Sequence, residues 1–261
     1  MLKRIFLLLI LFLFFQAAFS QIEKIDTDRP DQTESAYTIP KNWFQFEMGF
    51  NAQRNNSYDN EFFAPTLLSK YGISKKVEWR VITTQRITSS KFSSNNTDKE
   101  SGWDPVEIGA KISFWEEKGL LPKTSLIFHF ALPRIASKNF RADKLAPNFR
   151  FTMQNSLSKK AALGYNLGAE WDGFSNTPIW IYTFAPGFNL SEKFYGYLEA
   201  FGFISKTEKP QHSLDAGIAY YINNNFKIDL SGGPGISKEA PDAYLSFGFS
   251  FRFGKGSKSL K

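Results

Sequence analysis

From Trp43 onward the chain alternates between apolar and polar positions. Phe44, Phe46, Met48, Phe50 and Ala52 take every second place against Gln45, Glu47, Gly49, Asn51 and Gln53. Val77, Trp79, Val81 and Thr83 alternate with Glu78, Arg80, Ile82 and Thr84, and Val106 to Phe114 repeats the scheme around Glu107 and Lys111. A period of two marks a strand with one apolar and one polar face. Similar runs begin near Thr124, Phe149, Ala162, Phe194, Ser213, Phe226 and Ala243, and runs near Phe62 and Pro178 are apolar on both faces. The pattern predicts an all-β protein of about twelve strands. No stretch after Gln21 is apolar for long enough to cross a membrane as a helix.

The connections between the runs have a phase. Short turns at Ile73–Lys76, Lys118–Pro122, Ser158–Ala161, Leu190–Lys193 and Ile222–Asn225 alternate with longer polar segments, of which Ser89–Asp104 is the longest. Turn residues such as Ser, Asn, Lys and Gly fill the short ones. An antiparallel transmembrane barrel of the outer membrane has this layout, with short periplasmic turns and longer outer loops. A soluble sandwich has no reason to gather its short turns at one end.

Charge supports the same choice. The clean apolar faces carry no acid or base at their centres. The opposite faces hold Glu47, Glu78, Arg80, Arg86, Glu107, Lys111, Arg150, Glu170 and Arg252, and His129 shares their side. Asp172, Glu199, Asp215, Lys227 and Asp229 follow the same parity. A water-soluble barrel would put the charges outside; a barrel in lipid puts them in its lumen. In the run from Thr124, Phe128 is expected to face lipid and Ile127 the lumen. Trp43, Trp79, Trp103, Trp115, Trp171 and Trp180 sit at strand ends, as interfacial aromatic girdles require. Lumen acids and bases nearly balance, which argues against strong selectivity for one ion sign.

Composition narrows the rest. The chain has 261 residues with 28 Phe and no Cys, so disulfides, thiolate metal sites and cysteine nucleophiles are excluded. Lys3 and Arg4, eleven apolar residues from Ile5 to Phe15, and Ala18-Phe19-Ser20 have the form of a secretory signal peptide over residues 1–20. Export and a dispersed positive charge argue against nucleic acid as a partner. Residues 43–254 are then the barrel, and 255–261 a short basic tail after an aromatic closing strand. The expected location is the outer membrane of a Gram-negative cell. Its lipid, the barrel-assembly machinery and a small-molecule solute are the expected partners.

The stretch Thr27-Asp28-Arg29-Pro30-Asp31-Gln32-Thr33-Glu34, then Ile39-Pro40 and Gln45-Phe46-Glu47, resembles the opening of the phenol-degradation MetA-pathway family of outer-membrane transporters. Asn42 stands where that family commonly has Gly. The resemblance implies a twelve-stranded barrel and uptake of small, often aromatic compounds, and it brings no catalytic residues.

Within residues 21–42, Asp28, Arg29, Asp31 and Glu34 form a dense charged group. Two readings stand: a periplasmic tail, or a plug folded into the lumen and paired with bases such as Arg80 or Lys111. The carboxylates lack the Gly-containing spacing of a calcium loop, so no metal site is assigned. No catalytic set emerges either. Ser125 and His129 share a strand face but lie ~13 Å apart along it, beyond the reach of a nucleophile and its base. No cofactor is implied. A small-solute channel or facilitator is the leading expectation; a barrel enzyme and a structural or surface-binding barrel are the alternatives.

Overall fold

The computed structural model describes residues 24–93 and 96–254. The expected signal peptide and basic tail lie outside the described residues. Among the described residues, thirteen strands form one antiparallel sheet. They are β1 (Trp43–Arg54), β2 (Asp59–Gly72), β3 (Val77–Ser93), β4 (Asn96–Trp103), β5 (Val106–Trp115), β6 (Lys123–Leu132) and β7 (Ala146–Ser156). There follow β8 (Ala161–Glu170), β9 (Ile179–Asn189), β10 (Phe194–Ile204), β11 (Gln211–Asn223), β12 (Phe226–Pro234) and β13 (Ala243–Gly254).

Twelve of the thirteen strands close a ring. β1 pairs with β13 along its whole length, from Trp43 opposite Gly254 to Arg54 opposite Ala243. β3 pairs with β5 through Val77–Ile82, so the ring passes over β4. Closure leaves no open edge, which is the condition for a sheet to sit in hydrocarbon. The outer face is apolar: Leu198 is 60 % exposed and Leu230 47 %, while the inward Gln45, Arg80 and Lys111 are fully buried.

Ser89–Asp104 departs from expectation, because most of it is not a loop. The outer half of β3 continues past the barrel and pairs with β4, from Gln85 opposite Trp103 to Ser93 opposite Asn96. This hairpin docks on a short 3-10 turn at Lys138–Phe140. Ser137 Oγ accepts from the Trp103 amide at 2.8 Å, and a Cβ at Gly102 would strike Ser137 and Phe140. The β1–β2 connection differs as well. It is only residues 55–58, tied by Asn56 Oδ1 accepting from the Asp59 amide at 2.9 Å, because the two strands run outward until they meet.

The two ambiguous runs also resolve. In β2 the register shifts between Phe63 and Thr66, at Ala64-Pro65, where Pro has no N–H to give the ladder. The bulge reverses parity, and so the sequence shows apolar residues on both sides. In β9 the inward face is itself largely apolar, with Ile181 and Ala185 buried on either side of Thr183. Ile127 is likewise buried inside at 1 % exposure, and Phe128 faces outward between Leu126 and Phe130.

Asn42, at the entrance to β1, has φ of 63°. Only Gly adopts that conformation freely, and Asn tolerates it better than most residues. Asn42→Val should therefore lower stability by about 1–2 kcal/mol, while Asn42→Gly stays near neutral. Phe128→Arg should cost ~2–4 kcal/mol, because it puts a cation against lipid. Urea unfolding of the refolded protein in vesicles checks all three; an Asn42→Val variant as stable as wild type would contradict the first expectation.

Candidate functional site

The lumen is occupied by the chain's own N-terminal segment. Residues 24–42 enter beside the β11–β12 turn, where the Ile25 amide donates to Asn224 O at 2.8 Å. They rise to Gln32 and Thr33, and return to the same rim, where the Asn42 amide donates to Gly72 O at 2.8 Å. The Ser35 amide donates to Asp28 Oδ1 at 2.9 Å, which ties the rising limb to the descending one. Such a segment has no ladder of its own, so every buried peptide group needs a partner from the wall.

The inward face of the barrel supplies those partners. Glu47 Oε2 accepts from the amides of Asp28 (2.9 Å) and Arg29 (3.2 Å). Glu78 Oε2 accepts from the Ile39 amide at 2.7 Å, and Glu199 Oε2 from the Gln32 amide at 2.8 Å. Asn166 takes both sides of Glu34, accepting from its amide at 2.7 Å and donating to its carbonyl at 3.1 Å. Lys227 Nζ donates to Arg29 O at 2.7 Å, Arg150 to Gln32 O at 3.2 Å and Ser125 Oγ to Ala36 O at 2.6 Å.

Charge pairing centres on Asp28. Its Oδ2 accepts from Arg80 Nη1 at 2.7 Å and pairs with Lys70, and its Oδ1 accepts from Lys111 Nζ at 2.9 Å. Arg80 also donates to Glu34 at 2.7 Å and Glu78 at 3.1 Å, and its Nε to His129 Nε2 at 2.9 Å. Glu47 Oε1 completes the group, 2.5 Å from Lys70. Asp28, Glu47, Glu78, Lys70, Arg80 and Lys111 are all less than a tenth exposed. Buried charges of this kind are tolerated only when paired and hydrogen-bonded.

Arg29 makes a second anchor. Its guanidinium lies against Gly49 and Gly248, which face each other across the β1–β13 seam. A Cβ at Gly49 would fall 2.0 Å from Arg29 Nη1. The missing side chains leave a slot through which Arg29 Nη2 reaches Asp229 Oδ1 at 2.9 Å and Ser246 Oγ at 3.0 Å.

The remaining candidates lie elsewhere along the lumen. Glu107 sits on the outer side of His129, 3.7 Å from Nδ1. Arg150 and Glu170 are 3.9 Å apart. Arg86 is near the outer end, paired with Asp104 at 3.0 Å and stacked over Phe140 at 4.7 Å. Arg252 lies at the inner rim over the Trp43 ring, with its Nε donating to Asn225 at 3.0 Å. Asp31 is half-buried near the tip. Asp172 is not in the wall: it follows β8, where burial would raise its carboxyl but the Phe174 and Ser175 amides donate to it and hold it low.

Sequence reasoning missed Ile25, Gln45, Asn166, Thr183 and the glycine slot. Strand parity carried part of the signal: Gln45 is two residues from Glu47, and Asn166 is four from Glu170. Below the plug lies a vestibule of about 860 Å³, lined in part by Tyr37, Gln45, Lys160, Glu192 and Arg252.

A closed twelve-stranded barrel with an apolar outer face and a charged interior is the architecture of Gram-negative outer-membrane proteins. Residues 27–253 match the family described as "Putative MetA-pathway of phenol degradation", and the chain belongs to that family. No curated protein sequence matches it. Among solved structures it is similar to an outer membrane channel from Pseudomonas putida F1, with a TM-score of 0.66 at 9 % identity over 84 % of this chain and 98 % of that one. It is also similar to the KdgM porin in complex with disordered oligogalacturonate (TM-score 0.52, 9 % identity, 80 % of this chain and 99 % of that one). The transport unit of the autotransporter AIDA-I from Escherichia coli is similar too (TM-score 0.50, 9 % identity, 90 % and 94 %).

Asp28→Asn should loosen the segment while leaving the barrel wall intact. Removing one partner from a buried charge network costs about 3–5 kcal/mol. Hydrogen exchange at the amides of Arg29, Glu34 and Ile39 should therefore speed up by two orders of magnitude or more, with β8 and β9 unchanged. Unaltered exchange at those three amides would show that Asp28 does not hold the segment.

Proposed function

We propose that the protein is an outer-membrane channel or facilitator for small solutes, and that its N-terminal segment is the plug that sets how open the lumen is. The observation that carries this reading is Asp28, one carboxylate from the segment shared by three cations of the wall. The family supports a role in uptake of small compounds, and the similar channel and porin folds agree with it. In this reading the barrel is embedded in outer-membrane lipid and inserted by the assembly machinery.

Two features favour a passage over an enzyme. Ser125 Oγ is engaged with Ala36 O, and His129 Nε2 accepts from Arg80, so neither is poised as a nucleophile or its base. The polar groups around Ser125 and His129 are spent on backbone and charge pairing. A ligand or membrane event that opens the channel must offset the segment's ion pairs, and these weaken with salt where water reaches them.

Planar-bilayer recording of the full mature chain tests the reading. Asp28→Asn with Glu34→Gln should raise single-channel conductance several-fold and make open states frequent. Equal conductance in both proteins would remove the segment from gating, and absence of conductance in both would overturn the channel itself.

A further inference from the structure

Outside the tip of the plug, the lumen holds a chamber of about 220 Å³ with no charged side chain in its wall. Gln32, at the top of the segment, forms its floor. Phe201 and Phe203 of β10 form one side, edge to face with ring centroids 6.2 Å apart. Asn51 and Gln53 of β1, Gln211 and Ser213 of β11 and Tyr244 of β13 supply the polar part. Strand parity turns all seven of these wall residues inward, away from lipid.

Two polar side chains around this space are engaged, Gln53 Nε2 donating to Asn55 Oδ1 and the Tyr244 hydroxyl to Asp215, and four others lack protein partners. Asn51 Oδ1 is buried without a hydrogen bond. Among the described residues, the side-chain amides of Gln32 and Gln211 and the Ser213 hydroxyl also bond to nothing in the protein, although Ser213 is only 8 % exposed. Single unpartnered atoms also occur elsewhere in the lumen, as at Gln45 Oε1 and Asn148 Oδ1, but here four polar side chains with spare capacity border one uncharged space, which points to a ligand or its water.

The chemistry of the chamber selects among solutes. An ion entering it meets no opposite charge. A hydrocarbon would strip water from amides and a hydroxyl and return no hydrogen bond, which is how polar sites reject analogues that lack a partner group. A ring with several hydroxyls satisfies both halves, its hydroxyls on the amides and its C–H face on Phe201 and Phe203. With water's share of liquid volume at ~30 Å³, the chamber has room for roughly seven waters, or one six-membered ring with its substituents.

We propose that this chamber is a resting site for a neutral, polyhydroxylated ring solute of monosaccharide size, held directly on the outer side of the plug. The proposal rests on the channel reading and names the solute class that such a channel takes up. A solute seated there touches Gln32, whose own amide is one of the bonds holding the segment to Glu199.

The test is a ligand-observed NMR titration of the full mature chain in detergent micelles, with D-glucose, toluene and sodium benzoate as probes. Glucose should saturate a single site, and benzoate should not. Asn51→Leu with Gln211→Leu should weaken glucose at least tenfold with the melting temperature unchanged, and Phe203→Ala, away from the amides, should weaken it as well. Toluene should show no saturation that either variant alters. The proposal is overturned if glucose fails to saturate, if it binds both variants as it binds wild type, or if toluene binds more tightly than glucose at this site. Bilayer conductance, read separately, distinguishes loss of this proposal from loss of the channel.

Discussion

Lys70 and Arg80 face each other directly across the β2–β3 ladder, and Lys111 lies on the next strand of the ring. Three cations at one depth, out of reach of bulk water, repel one another and have lost their hydration. Glu47 and Glu78 offset part of that charge, and the segment supplies the rest through Asp28 and Glu34. Most of the filled lumen follows from this one constraint. Once Asp28 is seated, its amide and that of Arg29 fall on Glu47, and Arg29 is delivered to the slot between Gly49 and Gly248.

A plug held this way differs from a packed core. Apart from Ile25, Pro30, Ala36 and Ile39, the segment buries little apolar surface, and its contacts are hydrogen bonds and ion pairs. Such contacts contribute little net stability because desolvation offsets most of their attraction, yet they are strongly position-specific: one removed partner strands a buried charge. The segment can therefore be fixed in place while lying close in free energy to a displaced state. That balance suits a gate better than a permanent seal.

The barrel was largely legible in the sequence because lipid on one side and polar groups on the other enforce a period of two. Where the period failed, the cause was local: Pro65 inserts a bulge in β2, and β9 turns Ile181 and Ala185 toward the lumen. The β3–β4 hairpin was hidden because its strands stand above the membrane and carry no apolar face. Apart from Asp172, which lies beyond the end of β8, candidate lumen residues could be placed on the correct face by parity, but depth and partners could not. Nothing in the order Asp28, Asp31, Glu34 says that the first takes three cations while Asp31 pairs with none of them. That choice depends on the registers of β2, β3 and β5, which bring bases distant in sequence to one level.

The central claim is that the segment lies inside the barrel in the membrane. The chain has no Cys, so one introduced pair gives an unambiguous signal. Thr33 Oγ1 and Thr183 Oγ1 are 2.7 Å apart and both residues are buried. In outer membranes carrying the Thr33→Cys, Thr183→Cys protein, mild oxidation should join the two sulfurs nearly completely, seen as a reductant-sensitive shift in gel mobility, whereas either single variant should show none. Failure of the pair to join in membranes where the barrel is inserted would place the segment outside the lumen and contradict the account.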